Sequence, residues 1–350
     1  MATGYKPKLG YVPALDGLRC LAIVVVVLNH GEPILGWSLL GGVIGVDLFF
    51  VLSGFLITTL LLERDGEPLR RFYARRALRL LPAVYVLVVI VTAIAAIRYH
   101  RGADYLRADV WVVTYATNWA IVLGHWDAPM LRHLWTLAIE EQFYLLFPLP
   151  FLACWRRWPD RVMPALGILI GATVLWRAAP MWWGDERIGE RLDMHLDGLL
   201  AGAALALARW RGADLRRVGA WWPAALIVFI VAAALTDYRA TSHYTLVLPI
   251  VTAASVVLIA GAITYAPRIF TIPTVVAIGV YSYSIYLWHV PMLDLSCGID
   301  SASPAMKAAL GFSATFAASL ASYHLIERPF LRFKNRIGPR LDQTARPQEA

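Results

Sequence analysis

Arg19 and His30 stand eleven residues apart in the stretch DGLRCLAIVVVVLNHG, whose other side chains are almost all apolar. A helix rises about 1.5 Å per residue, so the two lie about 16 Å apart along one axis, close to three full turns, and both can face one cavity. That arrangement sets a permanent cation, able to hold an anion, in line with an imidazole that takes or gives a proton near neutral pH. Snorkelling of Arg19 to lipid phosphate and capping of a helix end by His30 are the plainer alternatives. A second constellation follows in RHLWTLAIEEQFYLLFP. Glu140, Glu141, Gln142 and Tyr144 crowd two turns, with His133 seven residues before Glu140 and Tyr144 four after it. Neighbours on a helix point about 100° apart, which predicts that Glu140 faces the cavity while Glu141 bonds an adjacent helix. Pairing with an arginine is the structural alternative. Asp47, in GGVIGVDLFFVLSG, is expected to orient the His30 ring across a helix pair, or else to satisfy free N–H groups at its own helix start.

In ERDGEPLRRFYARRALRLLP, Arg71, Arg75 and Arg79 recur at every fourth position with Arg76 beside them, which makes one basic helical face. Anionic lipid attracts any such face by about 1 kcal/mol per charge. Guanidinium density over a polar cavity is better explained by a phosphate-rich ligand, which the planar fork binds bidentately. In YSYSIYLWHVP, Tyr281 and Trp288 follow helical spacing and His289 sits just before Pro291, a pattern that predicts an outer vestibule. An interfacial aromatic belt is the competing explanation for the Tyr and Trp.

Such residues need a membrane around them. Of the 350 residues 59% are hydrophobic and 16% charged, and the mean hydropathy is +0.59, which excludes an ordinary soluble domain. A span takes about 20 mostly apolar residues. Ten segments fit, near 14–33, 40–62, 80–98, 133–154, 162–180, 193–209, 218–236, 244–265, 273–292 and 304–326. The chain is therefore expected to be an all-α bundle of about ten transmembrane helices, one membrane domain over residues 1–336, with a polar, disordered tail at 337–350. With both termini cytoplasmic, 23 of the 32 Lys and Arg fall on the inner side and nine on the outer, in line with the positive-inside rule. The formal charge of +8 is read as topology, and no nucleic-acid partner is expected. The apolar stretch 109–123 is too short to cross and is expected to be an outer-face helix. The first apolar run lacks a cleavage pattern and is expected to be retained. Cys20, Cys154 and Cys297 are too far apart for a disulfide framework or a metal site and are expected to be buried packing residues. The sequence contains no GxxxxGK[ST], dinucleotide, HExxH or GxSxG motif.

The motifs LDGLRCLAIVVVVLNH, GVDLFFVLSGFLIT, FYARRALRLLP, HLWTLAIEEQFYLL, YSYSIYLWHVP and the closing ERPF at Glu327–Phe330, taken in order, resemble those of the acyltransferase-3 family of integral-membrane O-acyltransferases over nearly the whole chain. The resemblance implies a multi-pass protein of the cytoplasmic membrane. It implies transfer of an acyl group, acetyl or another short chain, from cytoplasmic acyl-CoA to a hydroxyl of a sugar, a surface glycan or a glycosylated natural product. It also implies that His30 is the essential catalytic group and Arg19 its companion. With the residue reading this gives His30, Glu140, Asp47 and Glu141 as catalytic candidates. Arg19, Arg75, Arg76 and Arg79 are the candidate acyl-CoA site, Tyr144, Tyr281, Trp288 and His289 the candidate acceptor contacts, and no metal is required. On this scheme the thioester threads a continuous, water-accessible tunnel past Arg19 to His30, which acts as general base with Glu140 or Asp47 orienting it. An acyl-histidine intermediate is the competing route. Many relatives have serine where this chain has Ala138, which removes one hydroxyl beside Glu140. Larger relatives append an extracytoplasmic hydrolase-like domain, so transfer is expected to be completed within the membrane domain here. A proton-coupled secondary transporter or flippase is the alternative from another class, without an internal repeat to support it.

Overall fold

Long apolar runs commit this backbone to helix, because in lipid every N–H and C=O must find its partner within its own segment. The computed structural model describes residues 8–35, 41–178, 189–236 and 243–334, and among them every regular element is helical. In chain order these are α1 (Pro13–His30), α2 (Glu32–Leu35), α3 (Ile44–Glu63), α4 (Leu69–Tyr99), α5 (Gly102–Val113), α6 (Thr117–Val122), α7 (Trp135–Leu146), α8 (Pro148–Arg157) and α9 (Pro159–Ala178). There follow α10 (Leu192–Trp210), α11 (Arg216–Gly219), α12 (Trp222–Leu235), α13 (Leu248–Tyr265), α14 (Arg268–Thr271), α15 (Pro273–Val280), α16 (Ser282–Cys297), α17 (Pro304–Ser322) and α18 (Arg328–Lys334). A 3-10 turn, Pro129–Leu134, leads into α7.

Helices occupy all ten expected segments, but six stretches are long and apolar enough to cross a bilayer: Pro13–His30, Ile44–Glu63, Leu69–Tyr99, Pro129–Arg157, His243–Tyr265 and Pro304–Arg332. The pair α15 and α16, bent by 69°, makes a seventh if it is one span. The expected ten is not reached on this measure, for local reasons. Helix α12 is apolar but only 14 residues long. Helices α9 and α10 have the length but carry charge, Asp160, Arg161 and Arg177 in one and Asp193, Asp197 and Arg209 in the other, which shortens their apolar runs. The stretch 109–123 is not one helix: α5 ends at Val113, α6 begins at Thr117, and Tyr115 between them has φ +54°. Of the three cysteines only Cys20 is buried; Cys154 is exposed and Cys297 half-buried, all as free thiols, so the packing role expected for those two is not met. The expected tail at 337–350 lies outside the described residues.

Helix α3 sits at the middle of the packing. Gly54 and Gly202 let it cross α10 at backbone distance: a Cβ on Gly54 would lie 1.8 Å from the Leu199 carbonyl oxygen, and one on Gly202 2.0 Å from that of Val51. Leu48, Val51, Leu52 and Phe55 of α3 pack with Val251 and Leu258 of α13, while Phe50 packs with Phe143, Leu199 and Leu200 of α7 and α10. A third apolar cluster, including Leu87, Val91, Tyr105 and Leu287, ties α4 and α5 to α16.

Two of the charges of α9 and α10 are buried as a pair. Arg177 Nη2 donates to Asp197 Oδ2 at 2.7 Å and Nη1 to the Met194 carbonyl at 3.0 Å, with the two side chains 1% and 2% exposed. Removing one partner of such a pair strands a naked charge and costs about 3–5 kcal/mol, whereas replacing both by apolar residues is close to neutral. Arg177→Met is therefore expected to lower the thermal unfolding temperature in detergent sharply, and Arg177→Met with Asp197→Leu to recover most of the loss. Equal losses in the single and double variants would show that this pair does not hold α9 on α10.

Candidate active site

Helices α1, α3, α4, α7 and α16 converge on a cavity of about 150 Å³. At about 30 Å³ per water it has room for about five waters, enough for a short acyl thioester group and too little for a nucleotide. Helix α16 is aimed at it by two contacts, one of them on a carboxylate that α17 also holds. Tyr283 Oη donates to the Leu80 carbonyl of α4 at 2.9 Å, while Ser284 Oγ and Ser322 Oγ donate to Oε1 of the buried Glu327 at 2.5 and 3.2 Å. The carboxylate of the closing ERPF motif thus fixes the helix that forms one wall.

The cavity carries both cations and a carboxylate. Arg19, Arg76 and Arg79 line it together with Ser53, Glu140 and Tyr144. Arg19 Nη1 donates to Asp16 Oδ1 at 3.0 Å on its own helix. Arg76 grips Glu141 through Nε and Nη2 at 2.9 and 2.7 Å and stacks over the Tyr144 ring, 3.1 Å from its centroid. Glu140 accepts from Ser53 Oγ at 2.9 Å and from Tyr144 Oη at 3.4 Å. Glu140 therefore faces the cavity and Glu141 faces α4. Arg79 is exposed, lines the cavity, and has no carboxylate within ion-pair distance among the described residues. Arg75, expected beside it, turns away and forks onto Glu67 with two bonds of 2.5 Å, which hold the Glu67 carboxyl below the usual carboxylate range. Arg75 and Arg79 differ by only about 40° around α4, so it is the fork onto Glu67, not helix rotation, that takes Arg75 out of the cavity.

His30 does not line this cavity. Its ring, at the C-terminal end of α1, is exposed and stands edge-on to His289 with centroids 4.9 Å apart, and His289 stands edge-on to His133 at 5.1 Å. Each ring commits one nitrogen to a backbone carbonyl: His30 Nδ1 to Val26 at 2.9 Å, His289 Nδ1 to Tyr286 at 2.7 Å, and His133 Nε2 to Leu287 at 3.3 Å. The last has a cause in the sequence, since Pro291 lacks the N–H that would close on the Leu287 carbonyl. A carbonyl only accepts, so those three nitrogens carry hydrogens, and in the neutral rings His30 Nε2, His133 Nδ1 and His289 Nε2 are bare lone pairs. The latter two are buried without a partner.

The continuous tunnel expected from the sequence is interrupted by Tyr286. Its ring lines the cavity and lies 5.2 Å from the His133 ring and 5.8 Å from the His289 ring. Its hydroxyl donates to the His133 carbonyl and sits 2.8 Å from Thr136 Oγ1. Neither carboxylate expected to orient His30 reaches it. Asp47 lies on the face of α3 turned to α10 and holds His195 Nδ1 at 3.1 Å, and Glu140 holds Ser53 and Tyr144. The Val26 carbonyl orients the His30 ring instead. Tyr281 and Trp288 also fall outside the site. Tyr281 sits at the bend between α15 and α16 against Tyr323 and His324, while Trp288 is buried with the α4 and α5 cluster. The inward stripe of α16 is Ser282, Tyr283, Tyr286 and His289, set by a helix that restarts at Ser282. Sequence reasoning misses Tyr286, Thr136 and His195. The available signals are the place of Tyr286 three residues before His289 and the polar trio Asp193, His195 and Asp197 within an apolar run.

A shallower groove at the α3–α4 turn also holds charge, but Asp65 pairs with Arg156 at 2.7 Å and Glu67 with Arg75, so its charges are already matched. Among the described residues no group of three or more His, Cys, Asp or Glu is placed to hold a metal ion.

A family model described as an acyltransferase domain matches residues 12–324. The peptidoglycan O-acetyltransferase OatA of Listeria monocytogenes is 33% identical over 93% of this chain and 56% of its own length. A putative O-acetyltransferase of Staphylococcus aureus is 30% identical over 94% and 58%, and the putative peptidoglycan O-acetyltransferase YrhL of Bacillus subtilis 30% over 93% and 57%. The chain thus spans a little over half the length of these relatives. No solved structure matches it.

The histidine geometry has a direct spectroscopic consequence. Ring-¹⁵N spectra of histidine-labelled protein are expected to show the Nδ1–H tautomer for His30 and His289 and the Nε2–H tautomer for His133. Loss of the Nε2–H signal without change at the other two is expected in His133→Phe; a uniform Nε2–H pattern would overturn the assignment.

Proposed function

Because the chain belongs to the acyltransferase-3 family, we propose that it is a multi-pass enzyme of the cytoplasmic membrane that transfers a short acyl group, acetyl foremost, from acyl-CoA to a hydroxyl of a sugar in a surface glycan of the peptidoglycan kind. The observation that carries this reading is Arg79. A guanidinium at the wall of a cavity can hold an anion from outside the protein, and this one, exposed beside Arg19 and Arg76, has no carboxylate within ion-pair distance among the described residues. The phosphates of a nucleotide thioester supply the missing charge in a form a guanidinium fork binds bidentately. Arg75 and Arg76 already hold Glu67 and Glu141 through two or more bonds each, so donor phosphates fall first to Arg79, with Arg19, held by one bond to Asp16, beside it and Arg76 shaping the wall through Tyr144. The volume of the cavity suits the short acyl thioester end of the donor, and the rest of the donor lies toward the basic mouth.

The acceptor meets His30 from the opposite end of α1. His30 Nε2, left bare because Val26 holds Nδ1, takes the proton of the acceptor hydroxyl. The oxygen attacks the thioester carbonyl, the carbon–sulfur bond breaks, and the thiolate leaves and takes up a proton, so one alcohol and one thioester become one ester and one thiol. General base catalysis of this kind typically contributes about 10²–10⁴-fold. The bare nitrogens of His133 and His289 suit an acceptor rich in hydroxyl donors, and Glu140, tied to Ser53 and Tyr144, offsets the arginine charge at the acyl end.

His30→Ala is expected to insert and unfold like the parent protein yet transfer no acyl group; near-normal turnover would remove His30 as the base. Arg79→Gln is expected to raise the KM for acyl-CoA by about 10–100-fold, the equivalent of one charge-assisted hydrogen bond, with the acceptor KM unchanged. A parallel rise in both would mark Arg79 as structural.

A further inference from the structure

We propose that Tyr286 is a gate between the donor cavity and the histidine cluster, and that an acyl group reaches His30 only when the Tyr286 side chain leaves its latch. The purpose of the gate rests on the acyl-transfer reading above; its existence rests on packing alone. The ring both lines the arginine cavity and lies against His133 and His289, the second of which touches His30. The phenol has a single proton, given to the His133 carbonyl, so the Thr136 hydroxyl is the donor in the contact between the two hydroxyls.

The latch is made of parts that can open. Two neutral hydrogen bonds hold it, in contrast to the buried ion pair of Arg177 and Asp197 that fixes α9 on α10. The ring is half-buried, whereas Leu287, Trp288 and His289, which follow it, are buried. The yielding space is therefore on the cavity side, and rotation about the two side-chain torsions carries the ring there without moving the backbone. A closed resting state also has a physical reason. The cavity admits water and His30 is exposed at the far end of the same helix, so a permanent opening would join the two faces of the membrane and expose a bound thioester to hydrolysis.

The test is sidedness of thiol labelling, which needs no turnover and no knowledge of the acceptor. In the full chain with Cys154→Ser and Cys297→Ser, reconstituted in one orientation in sealed vesicles, His30→Cys or Ser53→Cys is exposed to a charged, membrane-impermeant maleimide added to one face or the other. With Tyr286 present, position 30 is expected to react from one face and position 53 from the opposite face only. With Tyr286→Ala, each is expected to react from both faces, the silent face reaching the rate of the open one. Labelling of position 30 from both faces with Tyr286 in place would overturn the gate, and so would one-sided labelling that persists in Tyr286→Ala. If that variant unfolds, Tyr286→Phe with Thr136→Val removes the latch while keeping the ring, and the same two outcomes decide. A chain that passes this test but consumes no acyl-CoA would keep the gate and lose the proposed reaction.

Discussion

An ionised side chain surrounded by hydrocarbon needs an opposite charge, a dipole or water within reach, and that requirement organises this bundle. Arg177 and Asp197 tie α9 to α10, Asp47 and His195 tie α3 to α10, and Arg76 and Glu141 tie α4 to α7. Each contact answers a charge and fixes the rotation of two helices at once. Among the groups left without a partner, those around the cavity and His30 are the informative ones: Arg79, and the lone pairs of His133 and His289.

Those unanswered groups divide by sign. The cavity offers cations and donors, which suit phosphate and a thioester carbonyl. The histidine cluster offers bare acceptors, which suit hydroxyl hydrogens. The two chemistries lie a few ångströms apart, with one tyrosine ring between them. Close backbone approach makes this possible, since Gly54 and Gly202 bring α3 and α10 together and leave the neighbouring side of α3, with Val46, Phe49 and Ser53, to line the cavity.

The helical class and the helices that carry the site are legible in the sequence, because apolar runs of that length have no other stable form in lipid and because polar residues stand out against them. Partner choice is not. Asp47 needs a basic neighbour, but nothing in its local sequence distinguishes His30 from His195; the face of α3 that Gly54 presses against α10 decides it. In ARRALR the residues Arg75, Arg76 and Arg79 lie on one side of the helix, and only the packed helix shows which points inward. In YSYSIYLWH aromatic residues occupy every face, so periodicity has no contrast, and the inward stripe of Tyr283, Tyr286 and His289 reads no differently from that of Tyr281 and Trp288. The span count suffers from the opposite defect. Hydropathy treats Asp197 as a surface group, although Arg177 removes it from solvent altogether.

Pro291 is easily taken for a mere kink in α16. By withholding an N–H it leaves the Leu287 oxygen unserved, and an imidazole 154 residues away in the chain fills the gap. A helix defect and a ring's acid–base form are thereby one variable shared between HLW and WHVP. Were a descendant to discard either half alone, it would orphan a carbonyl in oil or free a nitrogen to change its tautomer, so the two motifs must drift in step.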